Sequence, residues 1–332
     1  MHSLHHGPSM LSLSTLPYYA QPAFRRTFEE GQLTLGAVFP IEAYSGAFPT
    51  MQNQAERARQ AEAAGFAALW VRDVPLLDPD FGDVGQVFDP FVYLGYIAAQ
   101  TESIALGTAS SVVPLRNPLH LAKAATSVDQ LSGGRLLLGV ATGDRPVEFP
   151  AFGVNPEHRG ELFREYIEVL RKSQTTRFEA LRWSNGLLSG GDMVPKPFAN
   201  EIPLLITGNS RQSIEWIAAN GHGWINYPRP PEHQQAIIRH WRAVVQKQCG
   251  EVFKPFCCSL YVELTENPYF PPQAIHLGYR LGRNHLKALL ELLRDIGVNH
   301  VMLNFRFGQR PAQEMIEELE QFVVPHFNAR AN

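Results

Sequence analysis

The chain has 332 residues, a net charge of -3 and a pI near 6.5. The length suits an α/β barrel with insertions, and the slightly acidic balance argues against nucleic acid, whose partners carry a basic surplus. Three cysteines, Cys249, Cys257 and Cys258, give no disulfide framework and point to a reducing, cytoplasmic location, and no apolar run approaches the length of a membrane span.

Residues 1–30 read as a loosely docked extension rather than a core element. His2, His5 and His6 lie within it, and a tail is preferred there to a metal site. Leu33 to Pro40 is the first strand. Met51 to Ala64 is a helix by propensity, with Thr50 as N-cap and Gly65 as C-cap. Phe66 to Val71 is the second strand and ends in Arg72-Asp73. The next segment, VPLLDPDFGDVGQVF, has neither helical nor strand periodicity, and so long a loop is usually functional.

Asp89-Pro90 starts a helix to about Thr101, and Asn117-Pro118 starts another to Leu131, each with a cap followed by proline. Between them, Ser103 to Thr108 is a strand that runs on through Val113. Ser132-Gly133-Gly134 stops the second helix. Arg135 to Val140 is a nearly unbroken apolar run, as expected of a parallel strand covered on both faces. It feeds a polar loop, Ala141 to Glu148. A helix from Asn155-Pro156 to Gln174 follows.

Turn signals in 178–200 predict a small hairpin insertion. Strands at Ile202–Thr207, Gly223–Asn226, Phe256–Leu264 and His300–Phe305 complete the set, separated by helices ending at Asn220, Cys249 and Ile296. A second irregular stretch, TENPYFPPQAIHLGYRLG, precedes the helix that ends at Ile296, and a helix from Pro311 to about Phe322 closes the pattern. Eight strand–helix units predict one (β/α)8 TIM barrel with insertions, placed at residues 31–328.

In such a barrel the working residues lie at the carboxyl ends of the strands. That rule selects Phe39-Pro40, Asp73, Ser110-Ser111, Thr142 to Arg145, Gly208 to Ser210, Asn226, Glu263 and Asn304 to Arg306. Hydroxyls, amides and glycines dominate, which suits holding a polar cofactor more than hydrolysing a bond. Gly208-Asn209-Ser210-Arg211-Gln212-Ser213 joins a strand to a helix, where unpaired N–H groups favour phosphate. Equally, Ser210 reads as an ordinary N-cap. Thr142-Gly143-Asp144-Arg145 either meets a ligand or closes on itself through charge pairs. The small residues Ala109-Ser110-Ser111 either bed a flat ring or allow close helix–strand packing. Asp73 is either a general base or, preferably, a partner of Arg72. A Schiff-base enzyme needs a lysine at a strand end, and a metal hydrolase needs clustered His and carboxylates. The six lysines and the scattered His120, His158, His222 and His300 supply neither.

The succession AEAAGFAALWVRD, DPFVYLGYIAAQTESIALGTAS, NPLHLAKAATSVDQLSGGRLLLGVATGD and GNSRQSIEWIAANGHGW resembles the bacterial luciferase-like monooxygenase family, in order over about residues 33–325. The resemblance implies a barrel that binds reduced FMN, or in other branches a deazaflavin. It implies a flavin-dependent oxidoreductase in which reduced FMN, delivered by a separate flavin reductase, activates O2 to oxidise a small organic substrate. A flavin- or deazaflavin-dependent dehydrogenase, or a binding protein without oxygenase activity, is the alternative. By position, Ser210 and Ser213 match hydroxyls that hold the FMN phosphate, with Gly208 and Asn209 beside them. Thr142 and Gly143 match a flavin contact, and Ala109-Ser110 matches a pair joined by a non-proline cis peptide beneath the ring. Asp73 matches the acid preceding the luciferase catalytic histidine, but Val74 stands in place of that histidine, which argues against light emission. Arg145 and Arg306 are candidates for holding an anionic substrate. Trp224, Tyr227, Phe305 and Phe307 hint at an apolar pocket. Apolar helix faces in such barrels often pair, so a homodimer is a candidate assembly.

Overall fold

The computed structural model describes residues 16–82 and 84–327. The first third of the chain forms α1 (Pro22–Thr27), β1 (Thr34–Val38), α2 (Gln54–Ala63), β2 (Ala68–Val71), α3 (Pro90–Ala98), β3 (Ala105–Thr108) and β4 (Ser111–Val112). The middle forms α4 (Pro118–Leu131), β5 (Leu136–Ala141), α5 (Glu148–Ala151), α6 (Arg159–Thr175), β6 (Leu181–Trp183) and β7 (Gly186–Leu188). The remainder forms β8 (Leu204–Thr207), α7 (Ile214–Asn220), β9 (Gly223–Asn226), α8 (Pro231–Cys249), β10 (Phe256–Leu264), β11 (Gln273–Ile275), β12 (Gly278–Leu281), α9 (Arg283–Asp295), β13 (His300–Asn304) and α10 (Ala312–Phe322).

Eight of these strands close into a ring in the order β1-β2-β3-β5-β8-β9-β10-β13, every pair parallel, with β13 returning to β1. This is the (β/α)8 barrel expected from the alternation of strands and helices. The predicted hairpin in 178–200 is β6 paired antiparallel with β7. Asp89 and Asn117 cap α3 and α4 as expected: Asp89 Oδ1 accepts from the Phe91 and Val92 N–H groups, and Asn117 Oδ1 from those of Leu119 and His120.

Three elements differ from the sequence reading. The helix placed at 51–64 begins only at Gln54, because Thr50 is not its cap: the Thr50 N–H and hydroxyl both donate to the Glu42 carboxylate, at 2.6 Å each. The strand expected to run from Ser103 through Val113 is broken into β3 and β4 at a cis Ala109–Ser110 peptide. The irregular stretch before α9 contains the β11–β12 hairpin, whose second strand extends the sheet by pairing in parallel with β10.

The apolar residues sort into two sets. One, including Leu35, Leu69, Val71, Leu106, Leu136 and Leu138, points outward from the strands against the helices. The other lies inside the barrel and includes Val38, Trp70, Leu137, Leu205, Ile225 and Met302. Trp70 is its largest member and is completely buried. Two neighbouring strands leave room for it by carrying no side chain: a Cβ on Gly36 would lie 2.7 Å from Trp70 Nε1, and one on Gly107 2.3 Å from its ring. Trp70 Nε1 donates to His300 Nε2 at 2.9 Å, and His300 Nδ1 lies 2.7 Å from Thr34 Oγ1.

The extension from Leu16 onward is not loose. Tyr18, Phe24 and Phe28 are buried in the same cluster as the barrel interior. Several of its polar ties reach the amino ends of strands or the turns before them: Ala23 N–H to the Gly134 carbonyl, Arg26 to the Phe66 carbonyl, and the Tyr19 hydroxyl to the Phe253 carbonyl, while Gln21 donates to the Asp129 carboxylate on α4. Burial of three aromatic rings, each worth on the order of 2 kcal/mol, helps to offset the ordering cost that keeps most termini loose. The segment closes the bottom of the barrel. His2, His5 and His6 lie outside the described residues.

Candidate active site

The open end of the barrel is built from three turns. After β3 the chain kinks at Ala109-Ser110 and continues in the same direction into β4, both strands pairing in parallel with β5, and the Ala109 N–H donates to the Val71 carbonyl on β2 at 2.7 Å. The hydroxyls of Ser110 and Thr207 share a short hydrogen bond across to β8. After β5, Thr142 is buried and Gly143 takes φ +83°, with its backbone so close to Val112 that a Cβ would lie 2.7 Å from Val112 Cγ1. After β8, Gly208, Ser210 and Arg211 all have positive φ, so the turn coils tightly before α7. The Ser210 hydroxyl donates to the Thr207 carbonyl at 2.8 Å.

These turns enclose a cleft of about 270 Å³ lined by Asp73, Ser110, Thr142, Arg145, Asn209 and Ser210, among others. Arg145 is buried, with its guanidinium 4.5 Å from the centre of the Phe81 ring and 3.9 Å from Asp144 Oδ1. Behind it Glu148 is also buried, and burial pushes its carboxyl up against the opposing pull of the Arg145 charge. The cleft opens into a larger cavity of about 690 Å³, and Arg72, Ala109, Asp144, Thr207 and Tyr227 line both. Val38, Ile225 and Met302, from inside the barrel, contribute to the wall of this second space, and Tyr261, His276 and Arg306 line it as well. Arg306 donates to the Gly46 carbonyl at 3.0 Å, with Tyr44 and Phe307 rings 4.9 and 5.5 Å from its guanidinium carbon.

Most residues selected from strand ends meet here. Ala109, Ser110, Thr142, Gly143, Gly208, Asn209, Ser210, Asp73 and Arg145 line the smaller cleft, and Arg306 and Asn304 line the larger. Two readings change. Asp73 pairs with Arg116, not Arg72: Arg116 Nη2 reaches Oδ1 at 2.9 Å and Nε reaches Oδ2 at 3.0 Å. Oδ2 also accepts from the Ser111 hydroxyl and the Val112 N–H. Ser213, not Ser210, caps α7, with its Oγ accepting from the Trp216 N–H at 3.2 Å. Ser213 is not among the residues lining the cleft. Val74 lines the smaller cleft and brings no proton-transfer group to it.

Sequence reasoning missed Tyr261 and His276. Tyr261 lies within a strand rather than at its tip. His276 sits in a stretch read as irregular, although the short runs on either side of His276-Leu277 pair as a hairpin. Among the described residues no group of His, Cys, Asp and Glu is arranged to hold a metal ion, and no helix is long and apolar enough to cross a membrane.

A closed parallel barrel with its cavity at the carboxyl end defines the molecule as a (β/α)8 barrel protein, with the cavity at the end where such barrels bind ligands. The family model for luciferase-like monooxygenases matches residues 31–252, and the chain belongs to that family. An uncharacterised protein of Mycobacterium tuberculosis is 33% identical over 199 residues, spanning 55% of this chain and 70% of that one. The fold is similar to that of a monooxygenase from Streptomyces bottropensis, with a TM-score of 0.74 at 18% identity over 89% of this chain and 99% of the other. An F420-dependent secondary alcohol dehydrogenase is similar to the same degree, with a TM-score of 0.74 at 16% identity over 90% and 99% of the two chains.

Proposed function

We propose that this protein is a two-component flavin-dependent monooxygenase: it takes reduced FMN from a separate flavin reductase and uses O2 to oxidise a small organic substrate. The observation that carries the reading is the division of one continuous cavity into two parts of different chemistry. The smaller part gathers the Thr142 hydroxyl and the Arg145 guanidinium with the hydroxyls of Ser110 and Ser210, which would turn from their partners on Thr207 to meet a ligand, a set suited to a phosphate and a polar chain. Where the two parts join, in company with Arg72, Asp144 and Tyr227, Ala109 and the turn backbone offer one face with no bulky side chain, which suits a flat ring system. The larger part has apolar walls and lies where a second ligand would meet that ring. The residues present therefore fit FMN. When bound, it would supply the two electrons and the oxygen chemistry, while the protein orients it and limits water.

On this reading Arg145 and Ser210 bind the phosphate end, Thr142 holds the adjoining part of the cofactor, and Arg306 is placed to orient an anionic group on the substrate. Asp73 is a positioning residue that fixes the chain beyond Ser110 through Ser111 and Val112.

The second reading is a deazaflavin- or flavin-dependent dehydrogenase. It is supported by the equal likeness of the fold to the monooxygenase and to the F420-dependent dehydrogenase. Titration of the purified protein with FMN, reduced FMN and a deazaflavin separates the two. Micromolar or tighter binding of reduced FMN, with reoxidation in air on a time course unlike that of the free cofactor, is the expected result. Selective binding of the deazaflavin selects the dehydrogenase, and absence of reduced-flavin binding overturns the monooxygenase.

A further inference from the structure

The larger cavity contains one imidazole among the described residues that line it, that of His276. It sits at the turn between β11 and β12, with its ring centre 5.9 Å from that of Tyr261 and 6.5 Å from that of Phe307. The hairpin that carries it is tied to the barrel. β12 pairs with β10 from Gly278 opposite Tyr261 to Leu281 opposite Leu264, and the Tyr261 N–H donates to the Leu277 carbonyl at 3.2 Å. Gly278 lies so close to β10 that a Cβ there would fall 1.8 Å from the Tyr261 carbonyl oxygen. Arg280 on β12 pairs with Glu263 on β10 at 3.3 Å. The imidazole is thus held at the cavity rim, one side toward the enclosed space and the other exposed to water.

This placement bears on a requirement of the chemistry proposed above, on which the inference rests. A reduced flavin bound as its anion carries two electrons and one transferable hydrogen. Passing both to O2 to give hydrogen peroxide consumes one additional proton. Inserting one oxygen atom into a substrate and releasing the other as water consumes one additional proton as well. In the dehydrogenase direction, moving a hydride from an alcohol carbon to the cofactor releases one. Each case moves one net proton across the site.

The other charged and ionisable groups facing this space do not suit that exchange. Arg72 and Arg306 keep their charge, and Tyr261, beside His276, is a phenol, a side-chain type that ordinarily holds its proton through neutral pH. Burial pushes the Tyr227 hydroxyl up, with Asp144 adding to the effect. Asp144 lines the far side, shared with the smaller cleft and near Arg145, while Arg280 and Glu263 are occupied with each other. Imidazole is the side-chain type that ordinarily changes charge between pH 5 and 8. We propose that His276 is the proton-transfer residue of this site, passing one net proton per turnover between the cavity and bulk water.

The test uses full-length protein loaded with reduced FMN and mixed with oxygenated buffer between pH 5.5 and 9, comparing wild type with His276→Asn and His276→Gln. In wild type the reoxidation rate is expected to follow one ionisation. Both variants are expected to lose that dependence and to react about 100-fold more slowly, with FMN affinity within about two-fold of wild type. Added imidazole should restore part of the rate. A readout independent of turnover is the NMR titration of the His276 ring in the resting protein, whose midpoint is expected to move when oxidised FMN is added. Flavin binding with an unaltered pH profile in His276→Asn, or a His276 titration indifferent to FMN, overturns the inference and leaves the proposed function standing. Wild-type protein that binds no flavin overturns both.

Discussion

Arg116 grips Asp73 side-on, Nη2 to Oδ1 at 2.9 Å and Nε to Oδ2 at 3.0 Å, and so ties the end of β2 to the segment that follows the Ala109–Ser110 turn. The same guanidinium reaches Asp89, the cap of α3, at 2.9 Å. The Asp73 carboxylate is almost fully buried, so removing its partner leaves a charge in a poorly solvated place. Arg116→Met is therefore expected to cost about 3 kcal/mol of stability in urea unfolding. Arg116→Lys should recover only part of it, because an ammonium cannot form the paired contact. A loss below about 1 kcal/mol for Arg116→Met would place this contact with exposed ion pairs. Flavin affinity should fall alongside, since Ser111 and Val112 both lean on Asp73.

Trp70 and Gly107 make a second dependent pair. A methyl group at 107 would fall 2.3 Å from the indole of a side chain with no room to retreat. Gly107→Ala is expected to destabilise the barrel by about 3 kcal/mol. Trp70→Phe alone should also cost stability, through its lost hydrogen bond to His300 and the space it leaves. The double variant should cost clearly less than the sum of the two, as for residues sharing one space. Strict additivity in the unfolding free energies would contradict this packing.

Much of this arrangement was legible in the sequence, and the reasons are specific. The Asp89-Pro90 and Asn117-Pro118 starts announce α3 and α4 because cap and proline act locally. Leu136 to Val140 reads as a strand because both of its faces are covered. The cleft around Thr142, Asn209 and Ser210 follows once the strands are counted, since a barrel brings their carboxyl ends together. What could not be read depended on contacts distant in sequence. The partner of Asp73 lies 43 residues away at Arg116. Glu42 withdraws Thr50 from capping α2. His276 enters the cavity only because β12 pairs with β10.

Acid should weaken the fold through its interior histidines. His300 accepts a hydrogen bond from Trp70, and burial pushes its imidazole down to about 3. The unfolded chain takes up that proton near pH 6.5, so the contribution of His300 is complete above that pH and is lost as the pH falls toward 3. From pH 6.5 to 5 the expected loss is about 2 kcal/mol from this residue. His222, pushed well down by burial and then by the charges of Arg171 and Lys254, acts in the same direction. Urea midpoints measured at pH 7, 6 and 5 check the slope, and unchanged stability over that range would show that these rings are not held neutral.

Ser213 and Thr142 separate capping from cofactor binding. Ser213→Ala removes the cap of α7 and should cost about 1 kcal/mol of stability, with FMN affinity changed by less than about two-fold. Thr142→Val should leave the melting temperature nearly unchanged and weaken FMN binding by about five- to ten-fold, the effect of one lost hydrogen bond. Fluorescence titration and thermal unfolding of both variants decide between these roles. The reverse pattern would return Ser213 to the phosphate site and Thr142 to the framework.

The aromatic segment at Tyr18 to Phe28 gives the barrel a sealed floor. With that end closed, small molecules reach the cavity from the carboxyl ends of the strands, where Arg306 and the His276 turn stand among its lining. The side from which ligands enter is thus decided by aromatic residues on the opposite side of the barrel from the cavity itself.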